Sequence, residues 1–153
     1  MKKLLLIFLF LFLFVSPVQA QDRGWLFIPD LGLSTSIGTI PIIDNEYDME
    51  AVGQGVGWLE QTAWVDDTWA RIVLGSHSTG AFSELKELEV GSWIYVADYP
   101  HSTKVEGYRV VLITLTTPDD IRWLQPTENE TLTLITCYGD LRLIVHAELV
   151  WSN

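Results

Sequence analysis

The sequence is short of cations, sulfur and histidine, and each shortage removes a class of function. Nine Lys and Arg face twenty Asp and Glu, for a formal net charge of −11. That balance argues against nucleic acid as a partner and against binding anionic lipid through a basic patch. A single cysteine forbids an internal disulfide. In an exported chain, a leftover thiol is either intermolecular or reactive. One Cys and three scattered His show no zinc-ligand spacing. Ser76 and Ser78 lack the strand–turn–helix context of a nucleophilic serine. Asp44, Glu46, Asp48 and Glu50 resemble a calcium loop only in being acidic, without the Gly and terminal Glu such a loop needs; they read as a solvated loop.

Beyond the N-terminus, no long apolar run and no sustained period of 3.6 is present, which argues against a helical protein. The N-terminus itself opens Met1-Lys2-Lys3, runs apolar from Leu4 to Val15 and continues Ser16-Pro17-Val18-Gln19-Ala20. A positive start, a short apolar run and a Val-Gln-Ala box read as a signal peptide over residues 1–20, cleaved after Ala20 or retained as an N-terminal anchor. Residues 21–153 then form one exported domain.

That domain is written in short β-branched and aromatic runs separated by Gly, Pro, Asp and Asn, an all-β composition. Strands are predicted over Gly24 to Pro29, Ile37 to Ile43 (an edge, because of Pro41), Arg71 to His77, Trp93 to Val96 and Tyr108 to Leu115. Asp44 to Gly57 reads as a connection with little regular structure. Phe82, Leu85 and Leu88 fall on one side of a short helical turn, and Asp119-Asp120 precedes another at Ile121 to Leu124.

The most informative stretch runs from Thr131 to Val145. Two apolar, β-branched runs flank Gly139-Asp140, a two-residue hairpin loop whose leading Gly suits a type II′ turn. With those residues as the turn, Tyr138 pairs with Leu141 and Cys137 with Arg142. Their Cβ atoms are then roughly 4.5–5.5 Å apart on one face of the sheet. A guanidinium at that distance favours thiolate over thiol, and thiolate is the nucleophile. The plainer alternative is a buried cysteine beside a snorkelling arginine. Among the histidines, His77 closes an apolar strand where it gives way to a loop, a place that favours function. His101 lies in a polar loop, and His146 shares a strand face with Arg142.

In that order along the chain, the sequence resembles the sortases, bacterial cysteine transpeptidases. The resemblance rests on Leu74-Gly75-Ser76-His77, then Phe82, Leu85, Leu88 and Gly91, then Tyr108-Arg109-Val110 and Pro118-Asp119. It is completed by Leu132-Thr133-Leu134-Ile135-Thr136-Cys137 and Arg142, with Phe27-Ile28-Pro29-Asp30-Leu31-Gly32-Leu33 near the start. It covers about residues 25 to 151. Ser76 replaces the usual Gly before the histidine, Ala70-Arg71 replaces a frequent Gly-Asn, and the Cys-to-Arg connection is much shorter than usual. The resemblance implies an eight-stranded sortase β-barrel with short helices. It implies Cys137 as nucleophile, His77 as acid and base and Arg142 as oxyanion donor, with Ser76 and Thr136 as candidate substrate contacts. No cofactor is required by that chemistry. The implied partners are the sorting-signal peptide of an exported protein, with a Leu-Pro-x-Thr-Gly-like motif, and an amine on a cell-wall precursor or a protein lysine. The membrane is involved only through the N-terminal segment. The alternatives are a sortase-like peptidase that mainly hydrolyses, a non-catalytic peptide-binding barrel and a secreted β-sandwich with a buried cysteine.

Overall fold

The computed structural model describes residues 22–67 and 70–153. The signal peptide or anchor expected at 1–20 lies outside the described residues. Ten strands follow in chain order: β1 Gly24–Ile28, β2 Leu33–Ile40, β3 Ile42–Ile43, β4 Glu46–Tyr47, β5 Val56–Leu59, β6 Arg71–Gly75, β7 Trp93–Ala97, β8 Val105–Thr116, β9 Thr131–Tyr138 and β10 Leu141–Ser152. Eight of them close into a barrel in the order β1-β2-β5-β6-β9-β10-β8-β7, and β3 with β4 forms a separate two-stranded sheet. The helical pieces are 3₁₀ turns at Pro29–Leu31, Met49–Val52, Leu85–Glu87 and Ile121–Leu124. Among the described residues, no helix is long and apolar enough to cross a membrane.

The expected all-β barrel with short helices is therefore the fold, with local differences. Pro41 does not sit inside an edge strand but separates β2 from β3, because it has no N–H to donate to a ladder. The stretch expected to lack structure holds β4, a 3₁₀ turn and the start of β5. The strand expected from Tyr108 begins three residues earlier, at Val105, where polar side chains had hidden it.

Strand alternation explains the closure. On β1, Leu26 and Ile28 are fully buried while Trp25 and Phe27, which alternate with them, lie exposed. The same period places Ile72 and Leu74 of β6, Leu132 and Leu134 of β9, and Leu143, Val145 and Ala147 of β10 in one continuous core. Phe82, Leu85 and Leu88 join it from the turn between β6 and β7, as their spacing predicts. A second, small cluster of Ile40, Leu59 and Val73 lies outside this core, with Met49, Leu124 and Ile135 packed on it. One buried acid needs an account: Glu106 is 4% exposed. Its carboxylate accepts from the Tyr108 hydroxyl at 2.5 Å and from the Asp66 backbone N–H at 2.9 Å. Burial, reinforced by Glu106, holds the Tyr108 phenol far above its ordinary range.

Two barrel contacts are parallel, β2 with β5 and β6 with β9. The second brings the ends of two strands distant in sequence to the same rim.

Candidate active site

The site is built on two junctions, one local and one not. The local one is the β9–β10 hairpin. Its register pairs Tyr138 with Leu141, Cys137 with Arg142 and Thr136 with Leu143, as a two-residue turn at Gly139-Asp140 requires. Gly139 has φ +59° and Asp140 is not among the residues of positive φ, the pattern of a Gly-first type II′ turn. A Cβ on Gly139 would meet nothing within 4 Å, so backbone conformation rather than space selects glycine. Because β9 and β10 alternate, the core residues Leu134 and Leu143 face inward. Cys137 with Arg142, Ile135 with Ile144 and Thr133 with His146 form three successive pairs on the outer face.

The second junction is the parallel pair β6–β9, in register Leu74 with Leu134 and Gly75 with Ile135. Beyond Gly75 the chain stays alongside: the Ser76 N–H donates to the Ile135 carbonyl at 3.3 Å, and the Thr136 hydroxyl donates to the Ser76 carbonyl at 2.8 Å. Continuing that register by two residues brings His77 level with Cys137. Ser76 is 1% exposed and Thr136 is 4% exposed. The Thr136 hydroxyl is thus committed to the protein and fastens the two strand ends together.

His77, Cys137 and Arg142 line one cavity of about 120 Å³, with Met49, Leu59 and Ile135 as its apolar wall. A second groove, of about 230 Å³, shares Met49, Leu59, Ile135 and Arg142 with it and runs on past Ile144 and Leu124 to Trp123. Cys137 also borders a third hollow on its other side, lined by Ser78, Lys86 and Tyr138. The thiol is half-buried and free. Arg142 makes one weak internal hydrogen bond, from a terminal N–H to the Leu141 carbonyl at 3.4 Å. Among the described residues it has no carboxylate partner, and residues 1–21, 68 and 69 contain no Asp or Glu. Its remaining donors are open to a ligand.

Glu50 escaped the sequence reading as a site residue. Its Oε1 lies 3.6 Å from His77 Nε2, an ion pair whenever the imidazole is protonated. The 3₁₀ turn Met49–Val52 puts it there, started by the Asp48 side chain accepting from the Glu50 N–H. Nothing in the acidic run Asp44 to Glu50 singled out one carboxylate, because only the fold brings this turn beside His77. The other histidines lie apart from the cavity. His101 Nε2 is 2.9 Å from the Asp22 carbonyl in an exposed connection. His146 packs its ring 5.9 Å from that of Trp123, and burial, aided by the Arg71 charge, lowers its pKa.

The family described as the Sortase domain matches residues 26–150 of the chain. Among curated proteins, none matches. Solved structures of similar fold include sortase A from Corynebacterium diphtheriae, 24% identical with a TM-score of 0.73, covering 85% of this chain and 61% of that one. Clostridium perfringens sortase C, solved with the C-terminal cell wall sorting motif, is 25% identical with a TM-score of 0.72, covering 87% of this chain and 72% of that one. A Clostridium perfringens sortase D5 transpeptidase is 23% identical with a TM-score of 0.72, covering 85% and 79%. The chain thus spans about three fifths of the corynebacterial protein's length.

Proposed function

The chain belongs to the sortase family, and on that premise we propose that it is a cysteine transpeptidase acting on the sorting signal of an exported protein. The observation that carries this reading is the convergence of His77, Cys137 and Arg142 on one cavity from two separate strand junctions. In the proposed reaction, Cys137 Sγ attacks the carbonyl carbon of a Thr–Gly-like bond. The negative charge that develops on the carbonyl oxygen is met by the free Arg142 donors, charge-assisted hydrogen bonds that strengthen as the oxyanion forms. His77 gives its proton to the departing amine, the C–N bond breaks, and a thioester on Cys137 remains. An incoming amine then attacks the thioester and loses a proton to His77 as the C–S bond breaks, forming a new amide and releasing Cys137 as the thiolate. Water in place of the amine gives hydrolysis.

The apolar groove beyond Arg142, walled by Leu59, Leu124, Ile135 and Ile144, suits the apolar residues upstream of the scissile bond in a Leu-Pro-x-Thr-Gly-like motif. The sorting motif bound to the clostridial sortase C supports the same class of ligand. The acceptor we assign is an amine of a cell-wall precursor or a protein lysine, and residues 1–20 would export the domain or hold it at the outer face of the membrane. Ser76 and Thr136 act in this scheme by holding His77 and Cys137 level. The test is incubation with motif peptides, with and without an added amine, followed by mass spectrometry. Wild type should form a thioester and then the amide when amine is present. Cys137→Ala should form neither, and cleavage by that variant would remove the assignment. Acid product alone, unchanged by amine, would identify a peptidase instead.

A further inference from the structure

Away from the thiol, the groove ends at Trp123, and packed beside that ring, beneath the surface, is a group of polar atoms that the proposed reaction does not use. Arg71, the first residue of β6, is 8% exposed. One of its terminal N–H groups donates to the Arg122 carbonyl at 2.9 Å, and its guanidinium lies 5.6 Å from the centroid of the Trp123 ring. Among the described residues no carboxylate is within ion-pair distance, and the others contain none. A guanidinium keeps its proton at any physiological pH. A buried charge without a counter-charge is costly.

Four buried polar atoms here make no hydrogen bond among the described residues: Nε of Arg71, Nε1 of Trp123, Oγ1 of Thr133 and Nδ1 of His146. They belong to neighbours. Thr133 is the cross-strand partner of His146 and also of Val73, two residues along from Arg71. The His146 ring lies beside Trp123, and the Arg71 charge is felt at His146. The charge that opposes it at His146 is that of Glu148, which is exposed to solvent. Thr133 is fully buried. Two of the four atoms can only donate, and the hydroxyl and imidazole can donate as well. A trapped water would satisfy some of these hydrogen bonds but would leave the charge uncompensated. An acceptor carrying negative charge answers both needs.

We propose that Arg71, Trp123, Thr133 and His146 form a buried anion site, for a small oxoanion or a carboxylate, at the Trp123 end of the groove. It lies four residues along β9 from Cys137, about 13 Å at strand rise.

The experiment titrates the domain with inorganic phosphate and with acetate, each against chloride at matched ionic strength. It follows Tm and the His146 imidazole resonance by NMR. Wild type should show a saturable rise in Tm, on the order of 5 °C at a hundred times Kd, with a saturable movement of the His146 signal at the same midpoint. Arg71→Met should lose both, keeping only the non-saturating rise that excluded salts give any protein. Trp123→Phe, which removes the N–H and keeps an aromatic ring beside Arg71, should weaken binding about tenfold and keeps the test available should Arg71→Met fail to fold. A stronger response to phosphate marks an oxoanion site, and a stronger response to acetate marks a carboxylate site. No saturable response to either anion in wild type, or an undiminished response in Arg71→Met or Trp123→Phe, overturns the proposal.

Discussion

Replacing Arg142 by Lys isolates the part of the site that depends on shape rather than charge. Both side chains carry one positive charge, but the guanidinium presents a planar fork of donors and the ammonium a single nitrogen. In the protein, that fork is tied only by the 3.4 Å contact to the Leu141 carbonyl and by no carboxylate. Stability therefore has little to lose: the change should lie within about 0.5 kcal/mol, as for surface substitutions without a special partner. On a chain of this size that is a Tm shift of about 1–2 °C. Catalysis has much more to lose. Removing one oxyanion donor costs about 10²–10³ in kcat, or roughly 2.7–4 kcal/mol of transition-state stabilisation. The assay is kcat and KM on a motif peptide, with single-turnover acylation measured separately so that resolution of the thioester does not mask the step. The loss should fall on acylation, with KM little changed. A companion variant, one Ala inserted between Gly139 and Asp140, should fail as badly, because a one-residue slip sends the β10 side chains to the opposite face. Arg142→Lys acylating within a few-fold of wild type, or an active insertion variant, would refute the claim that the hairpin register presents Arg142 to the carbonyl.

Three further outcomes are expected. His77→Ala should abolish turnover while His101→Ala and His146→Ala leave it nearly intact; loss in His146→Ala with retention in His77→Ala would mean that the acid and base has been misassigned. Tyr108→Phe removes the hydroxyl that serves the buried Glu106 carboxylate, so chemical denaturation should show a loss of about 1–3 kcal/mol, and an unchanged midpoint would contradict that account. The folded His146 takes its proton at lower pH than the ordinary 6.5 because it is buried near Arg71. The unfolded chain is thus protonated first, so in chloride buffer stability should fall as pH drops through about 6.5 toward the lower folded value, and His146→Gln should flatten that slope.

How much of this could be read from the sequence follows from the range of each interaction. The Cys137–Arg142 pairing depends on a turn of two residues, and Gly139-Asp140 between β-branched runs dictates it locally. Pro41 read as the sign of an edge strand, whereas its missing N–H ends the ladder and separates β2 from β3. The early start of β8 was hidden because Val105-Glu106-Gly107 reads as polar until Tyr108 and Asp66 bury the carboxylate. Glu50 and Arg71 were out of reach for a different reason. Glu50 meets a histidine 27 positions later in the chain, and Arg71 lies under a turn that follows it by some fifty residues. Neither leaves a periodic trace, since barrel closure alone brings those segments together.

The parallel contact between β6 and β9 also sets the order in which the site comes into being. A hairpin closes in about 1–10 μs, while pairing segments tens of residues apart must first overcome loop-closure entropy. The cysteine thus acquires its arginine early, and its histidine only when Ser76 and Thr136, sixty residues apart, meet across the finished rim. Chemistry arrives last, as a by-product of closure. A barrel not yet closed would hold Cys137 and Arg142 side by side on their hairpin with His77 still apart from both.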